Sequence, residues 1–209
     1  MFNIHFMGEY VSDEQLITRK EIPAEAVEFG IVDDLKKEFG RGLLILMPLF
    51  VTMVALTYLK IRNYDYRLKF DLHFFLAFVL VCVLLTPLTR IHEIIHALCY
   101  PIDALKTIWH SKKDGAYFIY CEEIISRNRW LVVLLMPMLV LGVLPFVLWL
   151  LLPRLLPMPY DLAFAILCWL LTIMAMGDVA NVWHVLKEVP TGADVFNYGL
   201  MRSFYIKKK

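Results

Sequence analysis

Four apolar runs, each close to or above the roughly 18 residues that separate a membrane-crossing helix from a merely buried one, constrain this chain more than any other feature. They extend from Leu43 to about Leu59, Leu72 to about Tyr100, Leu131 to Leu152, and Asp161 to about Trp183. Hydrophobic residues fill 60% of the 209 positions, against about 45–50% in an ordinary globular domain. That is more apolar surface than the chain's own core can hide, and lipid is the expected solvent. The expected fold class is an all-α membrane protein with about four transmembrane helices.

The 21 Lys and Arg nearly balance the 20 Asp and Glu, for a net charge of +1, which gives no basis for nucleic acid as a partner. Cys82, Cys99, Cys121 and Cys168 are scattered and form no CxxC pair, which argues against a disulfide framework. The first 40 residues lack the basic start, short apolar core and small-residue cleavage site of a secretory signal, so the first apolar run is expected to direct insertion itself. Fifteen Lys and Arg fall in the connections on one side of the spans and five on the other. The basic-side rule then places both termini in the cytosol, although Lys60, Arg62, Arg67 and Lys69 in the first loop dissent. This divides the chain into a cytosolic segment 1–42, a four-helix membrane domain 43–184, and a basic cytosolic tail 185–209 that closes on Lys207-Lys208-Lys209.

Within that frame some stretches are irregular. The second run, 29 residues long, would reach about 43 Å as a helix, beyond the roughly 30 Å hydrocarbon core, so it must tilt, protrude, or kink at Pro87. The third carries Pro137, Gly142 and Pro145, breakers tolerated where neighbouring helices or water re-satisfy the backbone. In the connection 101–130, Thr107–His110 and Ala116–Cys121 flank Lys112-Lys113-Asp114-Gly115 and predict a β-hairpin, whose edge could accept an extended peptide as an added strand. Val27, Ile31, Leu35 and Phe39 recur every fourth residue up to Gly40, predicting a surface helix over 23–39 with the glycine as its stop.

The chemistry is concentrated in His92-Glu93-Ile-Ile-His96, inside the second run. On a helix, residues four apart share one face, so both imidazoles can reach a single ion. Glu93 beside them is the residue that acts as general base in metallopeptidases of this spacing, with zinc lowering the pKa of a bound water towards about 7. Three such side chains within five residues of a spanning helix are costly, and that cost disfavours a packing role.

A catalytic zinc needs a third protein ligand. The second and fourth runs must be parallel, and Asp178 lies at a depth similar to that of His92, which makes it the leading candidate. A structural Asp178, bonded to Asn181 or paired with Arg90, is the competing reading; His184, Cys99, Cys121, Glu122 and Glu123 remain alternative ligands. His5, His73 and His110 have no partner pattern.

His92-Glu-Ile-Ile-His96-Ala-Leu, Tyr120-Cys121-Glu122, the Pro137-bearing third run, Gly177-Asp178 and Val189-Pro190-Thr-Gly192-Ala together resemble the zincin peptidase family of small bacterial membrane proteins, which is grouped with the site-two protease clan. The resemblance covers roughly residues 75 to 205. It implies an intramembrane protease of a bacterial plasma (inner) membrane, with Zn2+ held by His92, His96 and Asp178, Glu93 as base, and a membrane-protein or peptide substrate. One departure stands out, because the distal Asp of site-two proteases precedes a glycine, whereas Gly177 here comes before Asp178 and Val179 after it. A zinc-stabilised scaffold without turnover and a metal-ion transit protein are the alternatives, and the need for Glu93 in hydrolysis alone ranks the protease first.

Overall fold

The computed structural model describes residues 3–18, 21–31, 35–62, 71–113, 115–154, 156–200 and 202–207. Arg19, Lys20, Arg67, Lys69, Asp114, Lys208 and Lys209, used above for orientation and the hairpin turn, lie outside them. Among the described residues six α-helices dominate: α1 (Leu35–Ile61), α2 (Leu72–Cys99), α3 (Arg127–Pro137), α4 (Leu144–Leu151), α5 (Met158–Met174) and α6 (Met176–Glu188). Seven strands accompany them: β1 (Ile4–Glu9), β2 (Val27–Phe29), β3 (Lys106–Ser111), β4 (Ala116–Tyr120), β5 (Ile125–Ser126), β6 (Asp194–Asn197) and β7 (Ser203–Ile206).

The α1 and α2 helices and the α3–α4 unit are each long and apolar enough to cross a membrane, and the α5–α6 pair makes a fourth if its 43° bend is counted within one span. Only 11% of the apolar stretch of α2 is buried within the chain; Phe75, Phe78 and Val83 on it, like Leu44, Val51 and Tyr58 on α1, are exposed. Asp71 starts α2 by accepting a hydrogen bond from the Phe74 amide at 3.0 Å, and the helix continues through Pro87 to Cys99. Beyond it, the fully buried Lys106 donates from Nζ to the Pro101 and Ile102 carbonyls at 2.6 and 3.1 Å, closing the turn into β3.

The expected irregularity of the third run is a π-helical turn, Met138–Val143, joining α3 to α4, in which the Leu144 amide donates to the Leu139 carbonyl five residues back. It lies tight on α5: a side chain at Gly142 would place its Cβ 2.3 Å from Thr172 Oγ1. The fourth run, expected as one span, breaks at Ala175 into α5 and α6.

The fold is mostly helical, and the strands beyond the expected hairpin extend the all-α expectation to two small sheets. The predicted hairpin is β3–β4, antiparallel with Ile108 opposite Ile119, and β1 joins it in parallel, giving the order β1-β3-β4 with β4 at one edge. The second sheet, in the order β2-β7-β6-β5, combines the N-terminal segment, the second loop and the C-terminal tail, with Val27 opposite Tyr205 and Ile125 opposite Val195. The surface helix expected over 23–39 does not form. Val27–Phe29 is extended and pairs with β7, and α1 starts at Leu35 and passes through Gly40 without stopping. Phe29, Tyr100, Trp130, Val133, Val185 and Val195 pack as one core, seating this sheet on α2, α3 and α6.

Candidate metal centre

The spacing in α2 stacks His92 and His96 on one face, with both rings buried and their centroids 4.8 Å apart. The bend at Ala175 brings the first turn of α6, and with it Asp178, against that face. His92 Nε2 lies 3.1 Å from Asp178 Oδ2 and 3.1 Å from His96 Nε2, and His96 Nε2 lies 3.5 Å from Asp178 Oδ2. Among the described residues this is the group of His, Cys, Asp and Glu side chains able to share an ion.

The donor set fits zinc. Ligand atoms about 2.0–2.2 Å from a tetrahedral ion stand roughly 3.3–3.6 Å from one another, close to the three separations here. Proton placement leads to the same conclusion. His96 Nδ1 is 2.7 Å from the Val133 carbonyl oxygen, which can only accept, so Nδ1 donates and, in the neutral ring, Nε2 keeps its lone pair turned inward. The carboxylate also offers only lone pairs. A single proton on His92 Nε2 can serve only one of these two neighbours. A cation at the centre satisfies all three inward atoms together.

Glu93 does not join the triad. Its Oε2 accepts the Ile119 amide of β4 at 3.0 Å, so the carboxyl bridges α2 to the free edge of the hairpin. Two cavities adjoin it. One, of about 270 Å³, is lined by Glu93, His96 and Asp178 with Tyr100, Trp130 and His184; the other, of about 600 Å³, is lined by His92, Glu93 and Asp178 with Phe39, Thr89 and the hairpin residues Gly115 to Tyr117.

The alternative ligands have other partners. Arg90 donates to the Tyr117 hydroxyl at 2.8 Å and lies over that ring, away from any pairing with Asp178. His184 contacts Glu188 at 2.6 Å and Glu38 at 2.9 Å, and Glu122 accepts from the Thr18 amide and hydroxyl. Glu123 borders a separate cavity beside β3, and Cys99 packs against the core around Trp130. Cys121 borders that same separate cavity, and burial pushes its thiol up to about 11.

Two contributors to the site carry no sequence signal, because the Val133 carbonyl and the Ile119 amide are backbone atoms. A third, the packing of α1 on α6, was marked only by Gly42, a small residue of the kind that lets membrane helices approach.

A family model described as "Putative zincin peptidase" matches residues 82–193, more than half of the chain, and takes in the HExxH-bearing part of α2, β3–β5 and Asp178. The chain belongs to that family. Neither the curated proteins nor the solved structures hold a match to it.

Proposed function

We propose that this chain is an integral membrane zinc metallopeptidase that hydrolyses a peptide bond of a membrane-associated substrate. His92, His96 and Asp178 would hold the ion, and Glu93 would act as general base. The observation that carries this reading is the convergence of two imidazole nitrogens and a carboxylate oxygen within 3.5 Å of one another, one residue along α2 from a glutamate that takes no part in the cluster. Zinc bound there supplies Lewis acidity towards a peptide carbonyl and a water acidified towards a pKa of about 7.

The chain's own residues do the rest. The hydrogen bond from Nδ1 to Val133 fixes the orientation of the His96 ring. The carboxylate of Glu93 receives the proton of the attacking water and delivers it to the leaving amine nitrogen. The free edge of β4 provides a template on which an extended peptide can add as a strand. Residues of β4 line both cavities, Ala116 and Tyr117 one and Phe118 and Ile119 the other, so a peptide along this edge passes the triad.

Membrane residence is supported by the exposed apolar faces of α1 and α2. With α3–α4 and α5–α6 each counted as one broken crossing, the chain passes four times and its ends fall on the same side. The pairing of β2 with β7 agrees with this, since it joins the two ends in one sheet. The positive-charge bias supports a cytosolic placement of that side, and the resemblance noted above supports a bacterial inner membrane.

The test uses the full chain purified in detergent with fluorescent casein as probe, read by metal analysis and peptide mass spectrometry. Wild type should carry one zinc and cut; Glu93→Gln should keep the zinc and lose cleavage by about 10²–10⁴-fold. Equal cleavage by the variant overturns the role of Glu93. Zinc without turnover in wild type favours the scaffold, and zinc uptake into vesicles that needs Asp178 but not Glu93 favours transit.

A further inference from the structure

The α1 helix donates nothing to the triad and ends before the first residue matched by the family model, yet it holds the helix that brings Asp178. Gly42 lies directly beneath the first residue of α6. A Cβ built on it would sit 1.8 Å from the Met176 carbonyl oxygen and 2.6 Å from its carbonyl carbon, so even a methyl group cannot be accommodated unless backbone moves. Phe39, three residues earlier and on the same face of α1, abuts Gly177, where a Cβ would come 3.2 Å from the ring. Farther along, Glu38 and Arg41 contact His184, each at 2.9 Å from its Nε2. The seat therefore follows α6 from Met176 to His184, with Asp178 inside it.

This contact matters because of the break at Ala175. A continuous helix would fix the height and rotation of Asp178 through its own hydrogen bonds; across a 43° bend that register is lost, and a neighbour has to supply it. Gly42 permits the close approach of backbones that does so, and Gly177 leaves room for the Phe39 ring. We propose that Gly42 is a positioning residue for Asp178, setting the place of the third ligand without touching the ion. This rests on the reading of His92, His96 and Asp178 as the metal-holding set.

Gly40 provides the control. It lies on the same helix two residues away, but a Cβ there meets nothing within 4 Å, so Gly40→Ala and Gly42→Ala make the same chemical change and differ in the clash. Zinc affinity of the full chain in detergent, measured by chelator competition, with the visible absorption of the cobalt-loaded protein as a second readout, distinguishes them. Gly40→Ala should match wild type, whereas Gly42→Ala should bind zinc about 10–100-fold more weakly, the range seen when support of a ligand is lost, with an altered cobalt spectrum. In an Asp178→Ala background Gly42→Ala should cost nothing further, since nothing remains to be positioned. Phe39→Ala, which loosens the seat without a clash, should give a smaller loss that also vanishes in that background and serves if Gly42→Ala does not fold. Wild-type affinity in Gly42→Ala, or losses that add fully to those of Asp178→Ala, overturns the inference alone. Wild type without zinc overturns the metal reading beneath it.

Discussion

The two elements that form the triad do so in different ways. In α2 the arrangement is internal: one unbroken helix spaces His92 and His96 four residues apart, and regular geometry does the rest. In the α5–α6 pair it is assembled: the helix breaks, and Asp178 reaches the site because α1 holds α6 from one side and β2 steadies its far end through the Gly30 amide, which donates to Glu188 at 2.9 Å. On the proposed reading, an internal pair of ligands survives disturbance elsewhere as long as the helix stands. A ligand delivered by packing is only as well placed as its neighbours, and substitutions far from the ion can move it.

The largest expected effect is on the internal side. His92→Ala or His96→Ala should abolish stoichiometric zinc, because either leaves one imidazole and one carboxylate, whereas Asp178→Ala should retain a weak, readily chelated ion on the two imidazoles. Metal analysis after dialysis against graded chelator checks this, and wild-type retention by Asp178→Ala would break the comparison. Next, Gly142→Ala forces a methyl into the contact with Thr172. It should destabilise the fold by about 1–3 kcal/mol, read as a lower Tm, while the folded fraction keeps its zinc affinity because this contact does not support α6.

The smallest effect belongs to the sheet behind α6. Arg202 donates two hydrogen bonds to Glu28, at 2.8 and 3.0 Å, tying β7 to β2, and the first of these partners holds the Glu28 carboxyl below its usual range. Because the folded-state value is depressed, the pair's contribution is present above the ordinary carboxylate range and is lost as pH falls through the depressed value. Arg202→Ala should cost about 0.2–1 kcal/mol at neutral pH. The gap between the two melting curves should close below roughly pH 4, with zinc binding unchanged.

Legibility followed the same division. The placement of the histidine pair and of the glutamate beside it was readable because it depends on local spacing, and the nearness of Asp178 was within reach because parallel spans allow depth to be compared. Pro137, Gly142 and Pro145 announced the irregular third run, and the turn residues announced β3–β4. What escaped was whatever depends on a distant partner. Val27–Phe29 is too short to show a period and is a strand only because Phe204 and Tyr205 lie beside it; the fourfold spacing from Val27 to Phe39 imitated a helix for that reason. Gly40 resembled a stop because a stop is the commonest use of glycine near a helix end, whereas α1 is held together by its apolar continuation and uses the neighbouring Gly42 for close contact. The break at Ala175 has no proline to mark it.

The amide of Ile119 faces two claims. Glu93 holds it at rest, and a peptide adding to the open edge of β4 would need a donor at that same position. On the proposed mechanism, occupation of the edge would trade one tether for another: the incoming strand would be pinned, and the carboxylate released to swing towards whatever has just arrived. An idle molecule would then keep its proton carrier moored, and cargo would cast it off.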